Sequence, residues 1–283
     1  MKNEADLSLL ARQWGASAVP FGLVNGQDWL ETPGAQKAWT ALNQTAALRS
    51  VMLLSGPNGV GKSVLAGRWM RALDPRLFAP VCLTQATLSG TAILAALALK
   101  LGKPASFFRQ RNLQLIEAAL GELARRILVV ILDEAQNYSQ PSLEEVRLLL
   151  GLNLPEQPAF ALVLIGDEYL LASLKLRNQR ALYSRLACQI SLDPWTPAQC
   201  TQYLGAGLGA VGLSPAALEP AATELLASAS AGLPRSLCLL ARAAWIAAAT
   251  AQAQKITPAH VQAALAQVPC VPGLQAATAA TEA

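Results

Sequence analysis

The sequence predicts an α/β fold with a parallel five-stranded sheet between layers of helices, followed by a small helical domain. The first observation is that short apolar runs alternate with helical patterns through the first two-thirds of the chain, which is typical of parallel strands joined by crossover helices. The second is that strand patterns end after Pro194. A chain of 283 residues is long enough for one large and one small domain.

The strands and helices of the larger domain are predicted from these patterns. Apolar runs predict strands at residues 50–55, 80–84, 127–132, 160–165 and 188–192. Helical patterns predict helices at residues 62–73, 91–101, 113–126, 143–150 and 168–177. Ser142 and Glu145 have the spacing of a capping box, so we expect the fourth of these helices to begin after Ser142.

Helix-start patterns dominate the last third of the chain. They are Thr196-Pro197-Ala198-Gln199, Ser214-Pro215, Pro234 and Thr257-Pro258. They predict a small helical domain at residues 195–268, after a core at 21–194 and an N-terminal extension at 1–20. Residues 269–283 are punctuated by proline and glycine and then rich in alanine and threonine, so we expect a disordered tail there.

Composition argues against several classes of protein. The hydrophobic fraction is 53%, and much of it is alanine and leucine, which is typical of a helix-rich protein rather than an all-β one. No apolar stretch reaches the roughly 18 uninterrupted residues of a membrane-spanning helix, and the best candidate, 237–251, contains Arg242. The N-terminus lacks the basic start and apolar core of a signal peptide. We therefore expect no membrane span and a cytoplasmic location.

Cysteine, histidine and net charge indicate no further site. The five cysteines are scattered and never spaced as CxxC, so neither a disulfide framework nor a zinc site is indicated. The single histidine, His260, follows a helix-start pattern, which favours a structural role. A net charge of +4 is compatible with a local basic surface but identifies no partner by itself.

A phosphate-binding motif follows the first predicted strand and opens the first predicted crossover helix. The residues Gly56, Pro57, Asn58, Gly59, Val60, Gly61, Lys62 and Ser63 match the pattern GxxxxGK[ST]. Glycines let backbone N–H groups close around phosphate oxygens, and the helix N-terminus adds its positive dipole end. We expect Lys62 to reach the β- and γ-phosphates of ATP and the Ser63 hydroxyl to ligate Mg²⁺. The alternative is a glycine-rich turn that binds nothing.

Two acids end the third predicted strand. Asp133 and Glu134 follow the apolar run 127–132, as in a Walker B motif. We expect Asp133 to hold Mg²⁺ through water and Glu134 to take the proton of the attacking water as general base. Alone, such acids are more often a solvated strand end. Together with the phosphate-binding motif they favour ATP hydrolysis.

Hydrolysis also needs positive charge at the γ-phosphate, commonly an arginine from a neighbouring subunit. Arg177, Arg180 and Arg185 lie between the fourth and fifth predicted strands, and Arg185 comes just before the fifth. Arg185 is therefore the preferred candidate. The alternative is that these arginines are only solvated.

Several motifs together resemble the ExeA-like branch of the AAA+ ATPases. They are LDEAQN at 132–137, LEEVRLL at 143–149, LIG at 164–166, SRL at 184–186 and AGLPRS at 231–236, and the resemblance runs from about residue 20 to 265. It implies an αβα nucleotide-binding domain with a C-terminal helical lid. It also implies assembly into rings or helical filaments with ATP between subunits.

The resemblance places three residues at positions that have defined roles in the branch. Arg185 falls at the arginine-finger position, and Arg235 falls at the sensor-2 position, which contacts the γ-phosphate from the lid. Asp167 falls where the branch usually has an uncharged polar sensor-1 residue. The sensor-1 role therefore stays open in this chain.

The branch acts in two settings. One is secretion, where a membrane span and a periplasmic cell-wall-binding domain follow the ATPase domain. The other is DNA transposition, where ATPases of the TniB, TnsC and MuB type select target DNA and recruit a transposase. The sequence shows no span after the lid, so we expect the transposition setting, with double-stranded DNA and a transposase as partners. A secretion-type ATPase and a nucleotide-switched interaction module with little turnover remain the alternatives.

One segment is the candidate DNA contact. Residues 100–111 combine four cations, Lys100, Lys103, Arg109 and Arg111, with two aromatic residues, Phe107 and Phe108, and Lys103, Arg109 and Arg111 are the candidate contacts. Target selectors of this type bind duplex with little sequence preference, so the contacts should be basic and directed at the phosphate backbone. The alternative is a solvated loop.

Overall fold

The computed structural model describes residues 2–22, 30–84, 90–152, 158–176 and 179–268. Its contacts divide the chain into two units. The first contains Met1–Thr32, Asn58–Val60 and Pro194–Ala283, and the second contains Pro33–Pro57 and Gly61–Asp193. Arg177 and the predicted tail at 269–283 lie outside the described residues.

Five strands and twelve helices lie within the described ranges, besides two short 3₁₀ helices at Ala135–Asn137 and Pro215–Ala217. The strands are β1 (Val51–Ser55), β2 (Phe78–Leu83), β3 (Ile127–Leu132), β4 (Ala161–Ile165) and β5 (Leu186–Ser191). The helices are α1 (Lys2–Gln13), α2 (Pro33–Ala47), α3 (Lys62–Ala72), α4 (Ala92–Lys100), α5 (Arg109–Glu122), α6 (Gln140–Leu150), α7 (Glu168–Leu174), α8 (Arg180–Tyr183), α9 (Pro197–Gly209), α10 (Pro220–Ala229), α11 (Pro234–Thr250) and α12 (Pro258–Gln267).

The second unit is built on the five-stranded sheet, which confirms the predicted fold class. Its strand order is β2-β3-β4-β1-β5, and every pairing is parallel. Strands β1, β3 and β4 are almost completely buried, because helices cover both faces. On one face, Leu53, Val130 and Leu162 share a core with residues of α4, α5 and α6. Helix α2 contacts β1, β4 and β5.

The start of α6 differs from the prediction. The predicted capping box of Ser142 and Glu145 is wrong, because α6 begins at Gln140. Ser139 caps this helix instead, and its hydroxyl accepts the N–H of Ser142 (3.3 Å). Pro141 fits in the first turn, where a backbone N–H has no helical partner to lose. Glu145 instead forms an ion pair with Arg109.

The described part of the first unit is helical and has its own core. Leu204, Leu226, Leu237 and Trp245 are fully buried there, and α1 packs against α11. The predicted cap at Thr196 is confirmed, since Thr196 and Gln199 form a capping box at the start of α9. The predicted starts at Ser214-Pro215, Pro234 and Thr257-Pro258 coincide with the starts of the 3₁₀ helix Pro215–Ala217, of α11 and of α12. Helix α10 was not predicted.

Three sequence expectations can be compared with the described residues. None of their helices is long and apolar enough to span a membrane. The cysteines among them, Cys82, Cys188, Cys200 and Cys238, are free thiols. At the start of α12, the N–H of Thr257 donates to Nδ1 of His260 (3.1 Å), which is a structural use of the histidine.

Candidate nucleotide-binding and hydrolysis site

The loop between β1 and α3 has a backbone that requires its glycines. Gly56, Gly59 and Gly61 have φ angles of 145°, 88° and 105°, a region in which side chains with a Cβ are strained. Gly61 is the N-cap of α3, and no side chain caps this helix. The positive dipole end of α3 at this loop is therefore suited to an anion.

The side chain of Lys62 is buried. Lys62 is the first residue of α3 and only 5% exposed. Its Nζ donates to the carbonyl oxygens of Gly56 (2.7 Å) and Pro57 (3.1 Å). A buried ammonium needs such acceptors, and phosphate oxygens would be stronger partners because they carry charge.

Ser63 and Asp133 meet although they lie far apart in the sequence. Ser63 Oγ donates to Oδ1 of Asp133 (3.1 Å). The backbone of Asp133 is fixed at the end of β3, since its N–H donates to the carbonyl of Leu83 at the end of β2 (3.0 Å). Parallel strands bring their carboxyl ends to one edge, which is where α3 also begins.

The oxygen atoms of this pair fit Mg²⁺, which prefers hydroxyl, carboxylate, phosphate and water oxygens. Within the described residues, no group of three histidine, cysteine, aspartate or glutamate side chains could hold a metal. A Mg²⁺ ion held by Ser63 and Asp133 would also bind nucleotide and water oxygens, because Mg²⁺ usually keeps several waters and binds substrate phosphates.

Glu134 is held in an unusual backbone conformation. Its φ of 52° and ψ of 45° are left-handed, which is uncommon for a residue with a side chain and often marks a functional position. Its N–H donates to Oδ1 of Asp133 (3.0 Å), and its Oε2 accepts a hydrogen bond from Nε2 of Gln136 (2.7 Å). The sequence prediction missed Gln136, although the residue is part of the LDEAQN motif.

Asp167 has a capping role in the structure. Its Oδ1 accepts the N–H groups of Tyr169 (3.0 Å) and Leu170 (3.2 Å) at the start of α7. Its own N–H donates to Oε1 of Gln136 (3.3 Å). This helix cap accounts for a carboxylate at the position where the resemblance implies an uncharged residue.

Arg185 lies just before β5 and contacts α6. Its Nη1 donates to the carbonyl of Arg147 (3.3 Å). Arg147 in turn forms a two-bond ion pair with Glu144 (2.6 and 2.7 Å). The hydrogen bond from Arg147, aided by the charges of Arg147 and Arg185, lowers the pKa of Glu144. The Glu144 carboxylate therefore stays ionised beside the two arginines. Arg180, at the start of α8, is exposed.

Arg235 belongs to the first unit. It is the second residue of α11 and is exposed. Within the same unit, its N–H donates to the carbonyl of Gly59 (3.2 Å). The proposed contact of its side chain with a γ-phosphate stays a prediction.

The candidate DNA-binding residues are less free than their sequence indicated. Lys103 forms an ion pair with Glu122 (2.5 Å), and Arg109 forms a two-bond pair with Glu145 (2.7 and 2.8 Å). Among the described residues, Arg111 contacts only the neutral Gln114, at a long distance (3.5 Å).

Two phenylalanines between these cations are exposed. Phe107 is 103% exposed and Phe108 is 75% exposed. Ser106, the residue before Phe107, is fixed by the buried side chain of Asn112. This side chain accepts the N–H of Ser106 (2.8 Å) and donates to the Ser106 carbonyl (2.9 Å). The aromatic pair is thus presented from an ordered loop.

Comparison with known proteins gives a family match for less than half of the chain. Residues 46–174 match the family model described as an AAA domain. Over 140 residues, half of this chain, the sequence is 31% identical to the general secretion pathway protein A of Aeromonas hydrophila. This match covers 26% of that protein, so the chain spans about a quarter of its length.

Solved structures share the fold over most of the chain. The ORC1 protein of Aeropyrum pernix, solved in complex with DNA, has a TM-score of 0.69 and 21% identity, covering 87% of this chain and 68% of that one. The Cdc6p protein of Pyrobaculum aerophilum has a TM-score of 0.70 and 18% identity, with 88% and 70% covered. The RuvB Holliday junction branch migration motor of Thermotoga maritima has a TM-score of 0.57 and 17% identity, with 86% and 72% covered. The chain therefore has the P-loop AAA+ fold, and its residues 46–174 match the AAA domain.

Proposed function

We propose that this protein binds ATP with Mg²⁺ and hydrolyses it. The observation that supports this most is the position of one oxygen atom, Oδ1 of Asp133. It accepts hydrogen bonds from the Ser63 hydroxyl (3.1 Å) and from the Glu134 N–H (3.0 Å). The proposed metal-binding pair and the proposed base are thereby joined directly beside the start of α3.

Each group has a defined part in the proposed reaction. The loop N–H groups and Lys62 bind the phosphates, and Ser63 and Asp133 hold Mg²⁺, which neutralises phosphate charge when bound. Glu134 accepts a proton from the attacking water. Arg185 of a neighbouring copy and Arg235 add positive charge at the γ-phosphate as hydrolysis proceeds.

Lys62→Ala tests nucleotide binding. The variant loses the ammonium that we place against the β- and γ-phosphates, so ATP affinity should fall about tenfold or more, the usual effect of losing a hydrogen bond to a charged group. Isothermal titration calorimetry measures this directly. Lys37→Ala removes an exposed lysine on α2 as the matched control. Equal ATP affinity of the parent and Lys62→Ala proteins would contradict the assignment of residues 56–63 as the phosphate-binding motif.

We also propose that ATP-bound copies assemble as a ring or filament on double-stranded DNA and regulate transposition by selecting target DNA and recruiting a transposase. The fold shared with a protein solved on DNA supports a DNA client, as do the exposed Phe107 and Phe108 beside Arg111. The net charge is only +4, and two of the candidate cations are paired with acids. A single copy should therefore bind weakly, whereas an ordered array gains affinity by avidity.

The DNA proposal predicts ATP-dependent, salt-sensitive binding without sequence preference. Replacing Lys103, Arg109 and Arg111 together by alanine should weaken binding to all duplexes alike and flatten its dependence on salt, with ATP affinity unchanged. Fluorescence anisotropy with labelled duplexes, a slowly hydrolysed ATP analogue and a salt series measures both effects.

The matched control for this test changes the total charge equally. Lys37, Arg71 and Arg76 are exposed cations elsewhere in the second unit, and replacing all three by alanine should preserve more of the binding. ATP-independent binding to one defined sequence would contradict the proposal. So would an equal loss in the control variant.

A secretion-type ATPase is the second candidate, favoured by the 31% identity to general secretion pathway protein A. It predicts ATP turnover without duplex binding. Electron microscopy with the ATP analogue, with and without duplex DNA, separates the two candidates. Oligomers that form but do not bind duplex DNA at low salt would favour the secretion-type ATPase. ATP binding without turnover would instead favour a nucleotide-switched interaction module.

A further inference from the structure

Gln136 connects Glu134 to the segment that follows β4. It lies in the 3₁₀ helix that begins directly after Glu134. Its Nε2 donates to Oε2 of Glu134 (2.7 Å), and its Oε1 accepts the N–H of Asp167 (3.3 Å). In the described part of the chain, no other side chain forms a hydrogen bond with the Glu134 carboxylate.

The two contacts fix the orientation of the Gln136 amide. An ionised carboxylate only accepts hydrogen bonds, and a backbone N–H only donates. The amide nitrogen must therefore face Glu134, and the amide oxygen must face Asp167. A flipped amide would lose both bonds at once.

The segment after β4 is shaped to receive this amide. A Cβ on Gly166 would lie 2.7 Å from Oε1 of Gln136 and 2.5 Å from Cδ2 of Leu170, so a larger residue here would displace the Gln136 amide or the Leu170 side chain. The N–H of Gly166 donates to the carbonyl of Leu54 in β1 (3.1 Å). Asp167 is fixed on its other side as the cap of α7. The N–H that meets Gln136 is thus anchored to both the sheet and a helix.

We propose that Gln136 is a positioning residue for Glu134, an inference that rests on the proposed ATP hydrolysis. By holding Oε2, Gln136 leaves Oε1 of the same carboxylate to accept the proton of the attacking water. The oxygen of the same amide accepts the backbone N–H of Asp167. The orientation of the Glu134 carboxylate therefore depends on the position of the segment after β4.

Gln136→Leu tests this role, because leucine has a similar size but forms no hydrogen bonds. We expect kcat to fall about 10- to 100-fold, the scale of a misdirected catalytic group. ATP affinity by calorimetry, KM and the thermal unfolding temperature should stay close to the parental values. Gln44→Leu makes the same change at an exposed position of α2 as the matched control.

A double-mutant cycle with Glu134→Gln separates positioning from a general structural role. If Gln136 acts through Glu134, adding Gln136→Leu to Glu134→Gln should lower kcat no further. If its effect is independent, the two losses multiply, which overturns the inference. A parental kcat in Gln136→Leu also overturns it, while loss of activity in Glu134→Gln would leave the proposed ATPase function standing. A parent protein without ATP turnover overturns both.

Discussion

Arg185→Ala is expected to lower ATP hydrolysis by about 10³-fold or more while ATP still binds, because an arginine that compensates γ-phosphate charge has an effect of this size. In the structure, the guanidinium of Arg185 is held by a hydrogen bond and is not freely solvated. Its Nη1 binds the carbonyl of Arg147, whose side chain is paired with Glu144. Arg180→Ala is the matched control, since Arg180 is an exposed arginine of the same segment.

Mixing two inactive variants tests whether Arg185 acts on the nucleotide of a neighbouring copy. The Arg185→Ala variant keeps an intact phosphate-binding motif, and the Lys62→Ala variant keeps Arg185. Mixed oligomers should therefore contain some complete sites and recover part of the phosphate release. Recovery should be measured over a series of mixing ratios, with mixed assembly followed by native mass spectrometry. Mixed oligomers that stay inactive at every ratio would place Arg185 in its own subunit's site.

The sheet could be predicted because its strands leave a simple pattern. Strands β1, β3 and β4 are buried on both faces and read as continuous apolar runs, so their predicted ends agree with the structure within one residue. The edge strands β2 and β5 are only partly buried. Their predicted starts were each two residues late, because partial burial relaxes the need for apolar side chains.

Contacts between distant segments could not be predicted from local patterns. Residues 100–111 read as a basic cluster, but folding brings Glu122 to Lys103 and Glu145 to Arg109. Likewise, the motif contains Gln136, but its pairing with Asp167 spans 31 residues and depends on β3 and β4 being neighbours in the sheet. A pattern shows which side chains are available, while the strand order decides which of them meet.

Glu134→Gln is expected to lower ATP hydrolysis by about 10²-fold or more, within the usual range for losing a general base. The structure explains why this variant should stay folded and bind ATP. A glutamine amide has nearly the shape of the carboxylate, and its oxygen can still accept the hydrogen bond from Nε2 of Gln136. The bond of the Glu134 N–H to Asp133 involves only the backbone of residue 134 and is unchanged.

Because ATP binds but is not consumed, ATP-bound oligomers of Glu134→Gln should persist where those of the parent disperse. Single-turnover phosphate release measures the chemical step, calorimetry measures ATP affinity, and negative-stain microscopy over time follows the oligomers. Glu117→Gln, an exposed glutamate on α5, makes the same chemical change away from the site and should behave as the parent does. Phosphate release by Glu134→Gln at the parental rate would show that another group takes the proton, since an amide cannot accept it at neutral pH.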